Sequence, residues 1–431
     1  MERRLTYLPL SILLVFICRS QAQQSNIIDL RHADQMEGKT LNHEEVRELT
    51  GNVYFVQIPV SGGLVKVWCD RALRFMMQNK VELYGNVKVV RDSVTIHSKE
   101  GVYYAERRMM EGKNGVRLDR GRTSLTAQNG EYFVDEKRSH FVGNVVLVDT
   151  STTITCSEMY YFEEESKSIA VGNVHVFDVM NAVNIYGDSL IHIEQRKFTL
   201  VLKQPRLVKI DTSTSGTIDT MVIVSREMQS IKDTAELFVA IDSVRLVKDD
   251  MSAKCGKATF FVKNDFIALQ THPIIWSDEN QITGDSIRIR MVDKKLRSMW
   301  VKNRAMAISR VDTALPNRFN QLTGRELTMY FRANKLEQVD VQKNATSLYY
   351  LFDNKEPNGA NKSSGDRIFI DFIAGEVDRI KIVGGVLGQY LPEKMILKHE
   401  QDYNLDGFHW YENRPIRQGE HIMNDEYGKT N

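Results

Sequence analysis

The residues able to do chemistry are scattered along this chain and form no cluster. Its ten histidines fall at unlike phases of the sequence. His97, His140, His175 and His192 lie in or beside stretches of alternating polarity, where a solvent-facing side chain is the expectation. No His-Glu-x-x-His, Gly-x-Ser-x-Gly, glycine-rich phosphate loop or Cys-x-x-Cys spacing occurs. Glu163, Glu164 and Glu165 follow an aromatic cluster at a turn signal and read as a solvated run. Glycosidase chemistry needs two opposed carboxylates, and nothing in the sequence selects a pair. The expectation is a chain without a catalytic group, metal ligand set or cofactor, one that works by binding.

The cysteines lead to the underlying pattern. Cys69, Cys156 and Cys255 remain once the first residues are set aside, and an odd number leaves at least one thiol unbridged. Cysteine is also a common small buried residue, so buried free thiols are expected, with any bridge among the three left open. All three occupy one position of a repeat, marked by a small residue at Cys69, Ser98, Ala127, Cys156, Gly187, Ser225, Cys255, Gly284, Gly324 and Gly365. Steps of 29 residues separate the first four, and 29 again separates Cys255 from Gly284. Self-similarity at a fixed period means one supersecondary unit stacked many times.

Within a unit the polarity alternates with period two, which is strand patterning. Val87 and Val89 flank Lys88, and Val94 and Ile96 flank Thr95. Turn signals such as Arg91-Asp92-Ser93 and Asp149-Thr150-Ser151 separate the strands. Two apolar columns follow, Val87, Val116, Val145 and Val174, then two residues on Val89, Leu118, Leu147 and Val176. Ile96 and Ile154 join them from the next strand, and these ten residues are the expected lining of an interior. Six residues after the small position an aromatic column recurs at Phe75, Tyr104, Phe133, Phe162, Phe261 and Tyr330, expected on the same face. The recurrent Gly-Asn reads as a bend, because glycine marks bulges in strands and asparagine tolerates left-handed backbone. An asparagine row also suits the stacked amides of a parallel β-helix.

Arg3 and Arg4 before an apolar stretch from Leu5 to Cys18, with Ser20-Gln21-Ala22 at its end, read as a cleaved secretory signal over 1–22. The apolar run is too short for a bilayer span. There are 57 basic and 56 acidic residues. Loss of 1–22 removes three arginines and one glutamate, leaving a net charge of −1, so neither a nucleic-acid nor a polybasic membrane footprint is present. Longer steps after Gly187, Gly284 and Gly324 carry polar insertions. They divide the stack into expected halves, 23–211 and 212–390, followed by a polar tail, 391–431, whose one apolar cluster is Phe408-His409-Trp410.

Gly-Asn-Val-Lys-Val at 85 to 89, Gly-Asn-Val-Val-Leu at 143 to 147 and Gly-Asn-Val-His-Val at 172 to 176 each precede an alternating strand and a Tyr/Phe-rich strand. With the signal peptide they resemble the OstA-like (LptA-like) family of periplasmic lipopolysaccharide-transport proteins over about residues 28 to 390. The resemblance implies an all-β, elongated, twisted β-jellyroll of about ten stacked units, open along one side. It also implies a non-enzymatic role in the periplasm, with lipopolysaccharide acyl chains held in an apolar groove. Partners would be other β-jellyroll transport proteins, or further copies head to tail, joined by edge-strand pairing. Two other readings share the repeat: a parallel β-helix that binds or cleaves extracellular polysaccharide, and a structural surface adhesin.

Overall fold

The computed structural model describes residues 27–424 apart from 59–62, 181, 213–217, 233–235, 293–294, 313–314, 355 and 420. The expected signal peptide lies outside the described residues. The alternating segments form strands, among them Lys80–Arg91, Val94–Tyr104 and Met109–Arg120. Neighbours in sequence pair antiparallel, Val89 with Ile96 and Ile96 with Leu118. The same out-and-back step continues down the chain and joins 29 strands in one antiparallel sheet. This pairing overturns the parallel β-helix, whose successive coils would set neighbouring strands parallel.

Each traverse of the sheet bends near its middle. In Lys80–Arg91 the bend is at Gly85 and Asn86, with φ of 71° and 45°. Tyr84 pairs with Glu100 and Val87 with Ser98, so these two residues face Lys99 alone. Two residues opposed by one make a β-bulge, which bends the strand and strengthens its twist. Left-handed pairs recur at Gly51-Asn52, Asn114-Gly115, Gly143-Asn144 and Gly172-Asn173, as the motif suggests. They recur equally at Lys203-Gln204, Asp242-Ser243, Thr271-His272, Asn303-Arg304, Lys343-Asn344 and Gly384-Gly385, where the motif is missing. Aligned, the bends form a spine along which the sheet folds into two facing walls. The first wall carries Val81, Leu83 and Tyr103, and the second carries Val87, Val89 and Ile96.

The small position of the repeat sits on the inside of this spine. Ser98 faces Val87, Cys156 faces Val145 and Gly324 faces Ala305 across the ladder. A Cβ at Gly284 would lie 2.4 Å from Val301 Cγ1, and one at Gly324 would lie 2.5 Å from Val341 Cγ1. Space, not chemistry, therefore selects Cys, Ser, Ala or Gly there. On the outside of the spine the asparagines reach back one strand. Asn86 Nδ2 donates to Asp70 at 2.8 Å, Asn52 to Asp34 at 3.1 Å and Asn114 to Glu100 at 3.2 Å. These are amide–carboxylate rungs and not a stacked amide ladder.

The bulge also shifts the alternation by one residue, and this corrects the aromatic column. Tyr103, Tyr132 and Tyr161 point inward and are buried, whereas Tyr104, Phe133 and Phe162 are only partly covered and Tyr330 is exposed. Strict period two carried through the bend selects the wrong member of each doublet. The inward residues of both walls merge into one core from Ile28 to Ile368, shared by the two expected halves. Pairing runs across their boundary, from Arg206–Thr212 to Ile218–Val224.

The tail packs on the outer face of the second wall. Trp276 Nε1 donates to the Tyr411 carbonyl at 3.0 Å and Gln281 Nε2 to the His409 carbonyl at 2.8 Å. Phe319 meets Phe408 and Trp410, and Arg318 binds Glu393 and Glu400. At the ends of the stack, Ile27–His32 and Gln35–Leu41 pair only with Glu44–Ile58, and Glu376–Val383 and Leu387–Leu391 only with Glu356–Ile373, among the described residues. Each end thus presents an unpaired edge, and Ile380, Leu387 and Tyr390 are exposed on the last one.

Left-handed backbone at the spine makes a direct test. Gly85→Val, which places a β-branched residue at φ 71° against the Asp70 side chain, should cost about 1–3 kcal/mol of stability. Asn86→Gly, which keeps the conformation accessible, should stay within about 1 kcal/mol. Urea unfolding of the two variants beside the parent checks both, and equal losses would contradict a conformational role.

Candidate functional site

The ten expected lining residues come together. Across the second wall Val89, Ile96, Leu118, Leu125, Leu147, Ile154 and Val176 are successive ladder partners. Val87, Val116, Val145 and Val174 form a second row beside the spine, opposite Ser98, Ala127, Cys156 and Gly187. All ten are at 5 % exposure or less.

The facing wall was not legible from the two columns. It contributes Leu83, Met110, Tyr132, Phe141, Met159 and Leu190, each buried. Gly101, Gly112 and Gly130 run side by side between Leu83 and Phe141. A Cβ on Gly130 would lie 2.7 Å from the Phe141 ring, so the glycines make room for the large residues laid over them. The same alternation, moved by one residue at the bend, is the signal that would have found this wall.

Side chains from both walls fill the interior, so a guest enters only where the walls part. Among the described residues no strand crosses between them opposite the spine, and side-chain hydrogen bonds bridge this mouth. Tyr103 Oη donates to Gln57 Oε1, and Gln57 Nε2 donates to the Ala105 carbonyl at 3.1 Å. Arg91 Nη1 donates to Tyr132 Oη at 3.1 Å and to the Val134 carbonyl. Arg120 Nη1 donates to Tyr161 Oη and, at 3.5 Å, to the Glu163 carbonyl. Further along, Lys232 Nζ lies 2.7 Å from Asp178 and donates to Thr152 Oγ1 at 3.4 Å. The repeat sets this row too, since Arg91 and Arg120 are 29 residues apart, as are Tyr103, Tyr132 and Tyr161.

Burial governs the titrating groups inside. It pushes the Tyr103, Tyr132 and Tyr161 phenols up, so they stay protonated and neutral. It holds His192 below the ordinary histidine range, against the expectation that this ring faces solvent. The strand of His192 carries buried Leu190 two residues earlier on the same side, which turns the ring inward. His97 is exposed as expected, while His140 and His175 stack on Tyr160 and Tyr186 at 4.4 and 4.6 Å.

The folded antiparallel sheet, with its apolar interior and side-chain-bridged mouth, has the form of an elongated β-jellyroll. Residues 25–188 match the family described as OstA-like protein, and residues 125–295 match the family described as LptA/(LptD N-terminal domain) LPS transport protein. Together the two matches span residues 25–295 and support an OstA/LptA-like family. Among solved structures it is similar to LptH, the LptA homologous periplasmic component of the conserved lipopolysaccharide transport device from Pseudomonas aeruginosa. Identity is 12%, over 35% of this chain and 82% of that one, with a TM-score of 0.18, too low to carry an argument. None of the curated proteins matches the chain.

Cys69, Cys156 and Cys255 are free and buried on the inside of the spine, and burial raises their thiols to about 12, 11 and 12. A thiol alkylating agent at pH 8 should therefore leave all three unmodified in the folded protein and label all three in denaturant. Mass spectrometry reads the outcome, and rapid native labelling would contradict a sealed interior.

Proposed function

We propose that this chain is a non-enzymatic carrier that shelters lipopolysaccharide acyl chains between its two walls on their way to the outer membrane. The observation that carries the reading is the inward apolar core from Ile28 to Ile368 beside a mouth that, among the described residues, side chains bridge. An acyl chain gains about 0.8 kcal/mol per buried methylene, so ten methylenes supply roughly 8 kcal/mol toward parting the walls. Val87, Val89, Ile96, Val116, Leu118, Val145, Leu147, Ile154, Val174 and Val176 line the groove in this reading. The family match to lipopolysaccharide-transport proteins supports the cargo.

The signal over 1–22 directs the chain to the periplasm, and no helix among the described residues is long and apolar enough to cross a membrane. The segments 23–211 and 212–390 form one groove, and the tail from 391 braces the second. Unpaired edges at both ends pair with other β-jellyroll transport proteins, or with further copies, by strand addition.

Crosslinking tests the groove. A photo-reactive residue at Leu118 or Leu147 should capture lipopolysaccharide, and one at outward-facing Lys88 should not; capture at Lys88 alone would overturn the reading. A charge at Leu118 would sit in a filled core and cost folding stability, so capture is the cleaner readout.

A second measurement addresses the ends. Light scattering should show association rising with protein concentration. Asp29→Pro, in the edge strand Ile27–His32, should weaken it through loss of a ladder donor. A strict monomer at every concentration would remove self-assembly from the account.

A further inference from the structure

The mouth contains an arrangement that a merely closed sandwich does not need. Arg91 is 5 % exposed, yet its guanidinium is held across the gap by a phenol and a backbone carbonyl. Among the described residues the carboxylate within ion-pair reach of it is Asp92, exposed and 3.5 Å away. Arg120 repeats the arrangement on Tyr161 and the Glu163 carbonyl, and its guanidinium also lies 5.8 Å from the Tyr161 ring centre. Arg91 thus bonds to neutral acceptors across the gap while the Asp92 and Glu163 carboxylates act on its charge without a hydrogen bond to it, and Arg120 is half-buried. Bonds to neutral acceptors recover less of a cation's lost solvation than a bonded ion pair does. A bond from guanidinium to phenol is also weaker than one to an anion. The latches are therefore strong enough to close the mouth and weak enough to be exchanged for a better acceptor.

Their position names the acceptor. If acyl chains lie between the walls, the lips of the mouth meet the polar head of the same molecule. Two strand steps separate Arg91 from Arg120, which sets them about 10 Å apart along one lip. We propose that Arg91 and Arg120 are exchangeable head-group anchors. With the mouth closed they latch onto Tyr132 and Tyr161, and when cargo parts the walls they transfer to its phosphate groups. This rests on the carrier reading and adds to it a preference for anionic cargo.

The test uses two fluorescent probes that share one acyl chain, one headed by a phosphate monoester and the other by a hydroxyl. The parent protein should prefer the phosphate probe by about tenfold, the increment of a charge-assisted bond. Arg91→Gln/Arg120→Gln should abolish the preference while binding the hydroxyl probe at least as well, since the latches are gone. Arg91→Lys/Arg120→Lys, which keeps the charge, should restore it. Tyr132→Phe/Tyr161→Phe should keep the preference and bind both probes faster. This variant leaves the arginines in place and serves if the glutamine pair fails to fold. Equal binding of both probes by the parent, or a preference that survives the glutamine pair, overturns the anchors and leaves the carrier reading standing. Binding of neither probe overturns the carrier reading, and the anchors with it.

Discussion

The fold depends on one backbone constraint, a pair of left-handed residues in the middle of every second traverse. A flat antiparallel sheet of this size would expose one apolar face along its whole length. The bulge opposes two residues to one, bends the strand and turns that face onto itself. Because the bends are in register, the single sheet becomes two walls around a continuous core, with the small residue of each unit fitted inside the crease. The conformation is the invariant and the residue is not, since Gly85-Asn86 and Lys343-Asn344 adopt the same pair of angles within about 20°.

The walls are consequently joined by covalent strands on one side and by side chains on the other. Among the described residues, that asymmetry leaves the spine as the covalently joined side and the mouth as the side held by side chains. The interior is mostly apolar, and flexible methionines such as Met110 and Met159 lie among its aromatics, where they repack readily around a changed shape. Among the described residues, polar side-chain contacts between the walls lie at the lips, where Gln57, Arg91, Arg120 and Lys232 each reach the opposite wall. Opening the mouth costs these few bonds and the contact between walls, while the ladders within each wall remain intact.

The sequence reading reached the strands, the repeat, the bend at Gly-Asn and the second-wall rows, because these follow from period-two alternation at a fixed spacing. It missed the first wall because the bulge slips the phase, so that Tyr103 and not Tyr104 faces inward. Bends such as Thr271-His272 and Asn303-Arg304 were hidden because no Gly-Asn marks them, although the backbone is left-handed there as well. Arg91 was visible only as part of an ordinary turn, since its partner Tyr132 is 41 residues away and belongs to the other wall. The course of the tail was equally hidden, for its carbonyls on Trp276 and Gln281, its rings on Phe319 and its carboxylates on Arg318 leave no periodic mark.

The central claim is that the walls separate along the mouth while the spine holds. Spin labels on the exposed lip residues Asp92 and Asp135, whose side chains are 65% and 62% accessible, report that gap directly. On addition of lipopolysaccharide the distance between them should lengthen, while a label pair spanning the spine at Lys99 and Asn114 should keep its separation. Lipopolysaccharide bound with the lip distance unchanged would contradict the account.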